Sequence, residues 1–355
     1  MAGHKPRLTL SIPPTCNATL RPRSDQDDPR ISYVQKEISN KLCFPPETKE
    51  WLFTADDLTN LGFIGEGQFG QVNKMLFKPN NKELAVKRVR IISNRNDDHE
   101  SNLSMKQVKN EINAIRAASN CPQIVQFYGV TFNEGDCLVC MELMDASLEQ
   151  VYQAVHGPLE WNIFDELVLG RVAVSTIVAL DHLKTDQNII HRDVKPSNIL
   201  LSTSGAVKLC DFGISGYLVD SVAQTGDAGC RPYMAPERLS AMSNYDVRSD
   251  VWSLGITMVE VTSGAFPFPD MIDMPVFKQL QLVVDGDPPM LSDDTYSHRT
   301  INFVNCCLVK DVGERPNLKD LMEKEYFTYH RDLLALDDHV SNYVKNIIPH
   351  IPPRH

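Results

Sequence analysis

The 355-residue sequence has no apolar run long enough to cross a bilayer, which takes about 20 residues. Membrane insertion is therefore not expected. The first 23 residues carry Lys5, Arg7, Arg21 and Arg23 and no acid, but they lack the apolar core of a signal peptide. Excess positive charge is also missing. The net charge of −11 argues against general affinity for nucleic acid. The nine cysteines are an odd number without secretory context, so reduced thiols and a cytosolic or nuclear location are expected. Cys137 and Cys140 form a C-x-x-C, yet no second pair or close histidine completes a metal site. Their run, Cys137 to Met141, suits a buried strand. No repeat of solenoid length is apparent. What is present, 42% hydrophobic and 23% charged residues, is ordinary for a globular protein. The length permits one large bilobed domain, or two small ones, with short tails.

The most informative stretch runs from Ile189 to Gly213. Apolar pairs and runs bracket a polar cluster of His191, Arg192, Asp193, Lys195 and Asn198. After the alternating run from Ala206 to Leu209 comes Asp211-Phe212-Gly213. Two carboxylates and an amide are thereby placed on loops at the ends of short strands. Such a set suits holding a divalent cation and a hydroxyl nucleophile beside a phosphate, because hard cations take oxygen ligands. The spaced H-R-D-x-K-x-x-x-N followed by D-F-G resembles the catalytic and metal-binding loops of protein kinases. The resemblance implies that Asp193 accepts the proton of the substrate hydroxyl and that Lys195 reaches the γ-phosphate. It also implies that Asn198 and Asp211 hold Mg²⁺.

Gly65-Glu66-Gly67-Gln68-Phe69-Gly70 would be a weak signal alone, because dinucleotide folds share the spacing. Here the flanks, Leu61 to Ile64 and Val72 to Phe77, read as strands joined by a hairpin. A dinucleotide fold would continue into a helix instead. Leu84 to Lys87 gives a third strand, with Lys87 placed to hold the α- and β-phosphates. Leu103 to Ala118 has helical character, with Val108, Glu111, Ile112 and Ile115 on one face. Glu111 is the expected ion-pair partner of Lys87. Ile124 to Tyr128 and Cys137 to Met141 read as two more strands. Met141 is expected to border the nucleotide base, with the backbone of Glu142 and Met144 binding adenine. Ile64, Gly65, Gly67, Gly70, Val72, Ala85 and Leu200 complete the expected ATP site. From Ser147 onward the pattern is mostly helical. Asp250 is expected to anchor the catalytic loop, and Glu237 and Arg315 to form a buried ion pair.

Residues from about 58 to 327 resemble a full protein kinase domain. Ser221 to Thr225 and Asp227 to Glu237 look like the activation segment of a MAP kinase kinase of the stress-activated branch. Cys230 stands where most protein kinases, including MAP kinase kinases of the growth-factor branch, carry threonine. The resemblance reaches the kinase kinases that activate Jun N-terminal kinase. It implies an α+β bilobed fold, a five-stranded antiparallel sheet with one main helix (about 58–141) on a mostly helical lobe (about 145–327). It further implies dual specificity for the Thr and Tyr of a T-x-Y loop, and activation at Ser221 and Thr225 by an upstream MAP kinase kinase kinase. A kinase kinase for the osmosensing Hog-type MAP kinase is the neighbouring alternative. A catalytically silent scaffold is the alternative from another class. Docking on a scaffold protein is a further expected interaction.

Residues 1–57 read as a flexible segment, since Pro13-Pro14, Pro22, Pro29 and Pro45-Pro46 break helices. Within it, Lys5, Arg7, Leu8 and Leu10 form a basic then alternating apolar peptide. It resembles the motif by which MAP kinase kinases grip their MAP kinase. In the tail, 328–355, Leu333, Leu336, Val340, Tyr343, Val344 and Ile347 recur at helical spacing. That tail is a candidate docking helix for the upstream kinase.

Overall fold

The computed structural model describes residues 40–67, 70–90, 112–211, 231–239, 246–268, 271, 274–291 and 295–352. Two layers of structure meet at a cleft. The small lobe is an antiparallel sheet. Its strands are β1 (Lys41–Cys43), β2 (Glu50–Leu52), β3 (Leu58–Gly67), β4 (Gly70–Phe77), β5 (Lys82–Arg90), β6 (Phe127–Asn133) and β7 (Asp136–Met141). They lie in the order β2-β1-β6-β7-β5-β4-β3. A helix over residues 112–118 (α1) covers the sheet, with Ile112, Ile115 and Ala118 buried.

Five strands were expected, and among the described residues the sheet has seven. The prolines near residue 45 suggested a loose leader. Instead Pro45 and Pro46 stand in the connection of a hairpin whose Leu42 pairs with Gly129 of β6. Leu42, Phe44 and Phe53 are buried there, and the rings of Phe44, Trp51 and Phe53 close around Phe77. The segment 40–57 is thus part of the small lobe, held by the burial of these side chains and by strand pairing to β6. The strand expected from Ile124 begins at Phe127 instead. Val125 N–H donates to the Leu209 carbonyl at 3.1 Å, and Leu209 N–H to the Gln123 carbonyl at 2.8 Å. That stretch therefore pairs with the other lobe.

Side-chain alternation along the strands decides what faces the cleft. On β5, Leu84 and Val86 join the outer cluster with Leu138 and Cys140 of β7. Ala85 and Lys87 point the other way, towards the cleft. Cys137 and Cys140 are both buried in β7.

A short sheet of β8 (Ala146–Ser147), β9 (Ile199–Leu201) and β10 (Val207–Leu209) begins the large lobe. Its helices are α2 (Leu148–His156), α3 (Glu166–Gln187), α4 (Pro236–Leu239), α5 (Arg248–Ser263), α6 (Val276–Asp285), α7 (His298–Cys307), α8 (Leu318–Glu323), α9 (Glu325–Asp332) and α10 (Leu336–Ile347). Asp165 starts α3 by accepting from the N–H groups of Leu167 and Val168. Asn188, in the left-handed region at φ 53°, ends it. Helix α5 is buried almost all round, from Ser249 to Thr262, and forms the lobe's axis. No helix among the described residues is long and apolar enough to cross a membrane.

The tail helix expected from the apolar spacing is present as α10, but its apolar face is covered. Leu336, Val340, Val344 and Ile347 are buried. The Tyr343 ring meets Phe164 edge-on and Trp161 at a tilt, and Ser341 Oγ donates to the Thr203 carbonyl at 2.7 Å. Arg171 pairs with Asp337. A docking role through that face is therefore corrected. The apolar stripe belongs to the large-lobe core, and spacing alone could not say which surface covers it.

His330 on α9 is 2% exposed and its ring presses on Gly170 of α3. A Cβ at Gly170 would stand 2.1 Å from His330 Nδ1. Burial is the main cause that pulls His330 down to about 4. The unfolded chain therefore takes up this proton first as pH falls. Stability from this site is complete above about pH 6.5 and is lost as pH drops from there towards about 4. Between about pH 7.5 and 5 the wild type should lose roughly 2 kcal/mol from this group. His330→Gln should unfold with a midpoint that falls correspondingly less over the same range. Parallel pH profiles for the two proteins would contradict the assignment.

Candidate active site

The cleft between the lobes holds a cavity of about 470 Å³. Its roof is Ile64, Gly65, Val72 and Ala85 of the sheet. Met141, Glu142 and Met144 line the connection between lobes, and Leu200 of β9 lies on the floor. Asp193, Lys195, Asn198 and Asp211 stand at the inner end. A small extension behind contains Lys87, Val139 and Met141 with Asp211. The residues expected at a nucleotide site thus converge on one space, although they come from segments more than 100 residues apart. Gly67 and Gly70 close the β3–β4 hairpin as a pair. Glu111, Ser221, Thr225 and Cys230 lie outside the described residues, as do Lys5, Arg7, Leu8 and Leu10.

Gly70 shows why the hairpin needs glycine there. Its φ is +149°, and an added Cβ would stand 1.8 Å from the Arg88 carbonyl oxygen of β5. Any side chain would push the loop off the neighbouring strand.

The catalytic stretch is held from below. Asp250, fully buried on α5, accepts from His191 N–H at 2.9 Å and Arg192 N–H at 2.8 Å. These bonds support Arg192 in the left-handed region, φ 71°, which is uncommon for a non-glycine residue. Burial raises the Asp250 carboxyl above its ordinary value, while His191 and the two N–H groups oppose that rise. His191 Nε2 donates to the Cys210 carbonyl at 2.9 Å, and its Nδ1 accepts from Asp193 N–H at 3.2 Å. The ring therefore links the two loops. Cys210 N–H completes the link by donating to the Asn198 carbonyl at 3.0 Å. Burial pushes the Cys210 thiol well up, so it is no thiolate nucleophile at neutral pH.

The polar groups then meet at short range. Lys195 Nζ lies 2.9 Å from Asp193 Oδ2. Asn198 Nδ2 donates to the same Asp193 oxygen and to the Asp193 carbonyl, each at 2.8 Å. With its nitrogen so committed, the Asn198 amide offers its oxygen as a ligand atom. Lys87 is 1% exposed and pairs with Asp211 Oδ1 at 2.8 Å. A lysine buried that far needs a counter-charge. Asp211 is itself left-handed, φ 61°, a conformation aspartate tolerates better than most residues. The inner end brings together the carboxylates of Asp193 and Asp211, the Asn198 amide oxygen and the ammonium groups of Lys195 and Lys87. Such a donor set fits a polyphosphate with a hard divalent cation, since carboxylate and amide oxygens suit the cation and ammonium groups suit phosphate.

The connection between lobes is also fixed. Glu142 N–H donates to the Gln126 carbonyl at 2.9 Å, so Glu142 can offer a base its carbonyl but not its N–H. That refines the sequence expectation, which assigned its backbone as a whole. The Glu142 carboxylate turns to Lys208 of β10, at 3.0 and 2.7 Å. Nothing in the local sequence marked that pair, because its partners are far apart in the chain. Val125, Leu143 and Cys210 also line the cavity and were not anticipated, nor were Ile348, Ile351 and Pro352 of the tail.

Further down, Arg315 is fully buried and forms two bonds to Glu237, at 2.8 and 3.1 Å. It also stacks over Trp252. Tyr152 and Tyr233 both donate to Glu260 at 2.6 Å. Burial raises both phenols and the Glu260 carboxyl. Ser253 Oγ donates to the Tyr233 carbonyl at 2.8 Å, and Arg238 to the Arg192 carbonyl at 2.8 Å. The end of the activation segment is thus pinned to the large lobe beside the catalytic loop.

A protein kinase domain model matches residues 58–327. With the two lobes and this cleft, the chain belongs to the protein kinase family and is a phosphotransferase. Its relatives narrow the class. It is 44% identical over 303 residues to the MAP kinase kinase mkk-4 of Caenorhabditis elegans, covering 84% of this chain and 81% of that protein. It is 43% identical over 289 residues to the dual specificity mitogen-activated protein kinase kinase sek-1 of the same organism, covering 81% and 83%. It is 36% identical over 349 residues to the dual specificity mitogen-activated protein kinase kinase 7 of Mus musculus, covering 97% of this chain and 62% of that protein. The chain is a MAP kinase kinase.

Proposed function

We propose that the chain transfers the γ-phosphoryl group of Mg²⁺-bound ATP to the Thr and Tyr of a T-x-Y loop. The substrate is a stress-activated MAP kinase of the Jun N-terminal kinase type. The observation that carries this reading is the convergence of Lys87, Asp193, Lys195, Asn198 and Asp211 on one cavity. Phosphoryl transfer asks mainly for positioning and for neutralisation of charge. Asp193 accepts the proton of the incoming hydroxyl, and its short contacts with Lys195 and Asn198 hold it in place. Lys195 offers its ammonium group to the transferred phosphoryl. Lys87, held by Asp211, orients the phosphates. Asn198 and Asp211 would hold Mg²⁺, which screens the charge of the phosphate oxygens. Ile64, Val72, Ala85 and Leu200 enclose the base, with the Glu142 carbonyl and the Met144 backbone along its edge. A silent scaffold would not need this set.

The choice of branch rests on sequence. Cys230 replaces the usual threonine, and the Lys5–Leu10 peptide suits an acidic patch beside an apolar groove. Activation comes from an upstream MAP kinase kinase kinase acting on Ser221 and Thr225, in the cytosol or nucleus. A scaffold protein could gather the three kinases.

Leu8 and Leu10 test the substrate assignment. An apolar side chain fully buried in a groove contributes ~1.5–3 kcal/mol, and ordering of the tail opposes that. Leu8→Ala with Leu10→Ala should therefore raise KM for the intact MAP kinase by roughly tenfold. Turnover on a short T-x-Y peptide should not change, because it has no groove. Equal loss on both substrates would place the tail in support of the catalytic domain and refute docking.

A further inference from the structure

Helix α10 packs against α2 and α3, with Val340, Val344 and Ile347 fully buried. Past it, the turn Ile348–His350 brings the chain to the mouth of the nucleotide cavity. Ile348, Ile351 and Pro352 line that cavity. So do the residues at the start of α2, including Ser147, Glu149 and Gln150. Two features hold the turn. Ile351 N–H donates to the Ile348 carbonyl at 3.2 Å, and both isoleucines are half-buried against the core. Their remaining surface, with the exposed Pro352, faces open space in the cleft.

We propose that residues 348–352 are the outer wall of the nucleotide site and set affinity at its base-and-sugar end. This rests on reading the cavity as an ATP site. The position within the cavity follows from the neighbours. Helix α10 packs on α2 and reaches Thr203 through Ser341, and Thr203 N–H donates to Asp145 beside the lobe connection at 2.7 Å, so the segment that follows α10 enters the cavity from that side. The phosphate-facing groups Lys87 and Asp211 lie at the inner end. An apolar wall on that side loses exposed surface when a base and sugar enter, which favours binding. It makes no contact with the transferred phosphoryl, so it acts on binding rather than on the chemical step. The wall also joins the cleft to α10 through a few residues. Any change in how α10 sits is thereby felt at the nucleotide.

The test uses the full-length, activated protein. Ile348→Ala with Ile351→Ala should raise KM for ATP and the inhibition constant of adenosine together, by roughly five- to tenfold. The inhibition constant of inorganic tripolyphosphate, which probes only the phosphate end, should stay unchanged. Turnover at saturating ATP should stay within about twofold of wild type, as expected when only uniform binding is lost. Should the double variant fold poorly, Ile351→Val keeps the test, with a rise of about twofold for adenosine alone. Unchanged constants for both inhibitors would overturn the wall. Equal weakening of both, with a lowered melting temperature, would reduce the tail to packing and also overturn it. Wild-type protein that binds neither adenosine nor tripolyphosphate would refute the ATP site itself, and the wall with it.

Discussion

Asp193→Asn should lower phosphoryl transfer by about a thousandfold or more, as losses of single charge-handling groups do in this chemistry. The substitution keeps size and shape but removes the acceptor for the hydroxyl proton. It also removes the negative partner of Lys195, 2.9 Å away. Lys87→Met should cost a comparable amount for a different reason. The ammonium that orients the phosphates is gone, and Asp211 loses its 2.8 Å partner. Folding should survive in both. Asp193 lies at the open cleft, and methionine replaces a side chain that is 1% exposed with an apolar one of similar length. A labelled-phosphate assay with thermal melting as a control reads both effects. Turnover near wild type in either variant would sink the catalytic assignment.

The second large effect concerns activation. Ser221→Ala with Thr225→Ala should leave the protein refractory to an upstream MAP kinase kinase kinase. Aspartate or glutamate at both positions should restore part of the activity. Each residue falls between Asp211 and the Ala235-Pro236-Glu237 anchor, and a phosphate there adds charge of about −1.5 to −2. The anchor end is already fixed by Glu237–Arg315 and by the two tyrosines on Glu260. New charge would thus act on the stretch between two fixed points, and Arg192 is a candidate partner for it. Activity would be read after incubation with the upstream kinase. A double-alanine protein that is fully activated would refute the assignment.

Legibility followed sequence distance. The catalytic loop and Asp211 lie within one short stretch, so their types and spacing could be read together. The β3–β4 hairpin and Lys87 on β5 were legible from glycines and strand alternation. The Asp250 anchor and the Glu237–Arg315 pair were reachable only through the family resemblance, because their partners are distant in the chain. The hairpin at residues 41–52 was misread because its prolines sit in the turn, while Leu42, Phe44 and Phe53 supply the packing. For α10, spacing told of one apolar face but not of the α2–α3 surface that covers it. The Glu142–Lys208 pair and the tail at the cleft left no local mark. Both arise from packing between elements.

The most direct measurement is to incubate the activated wild-type protein, ATP and Mg²⁺ with a panel of purified inactive MAP kinases and map the new phosphosites. The account predicts phosphate on both Thr and Tyr of the T-x-Y loop of the Jun N-terminal kinase type, and none when Asp193→Asn protein is used. Phosphate on neither residue of any panel member, or equal labelling by the Asp193→Asn protein, would contradict it.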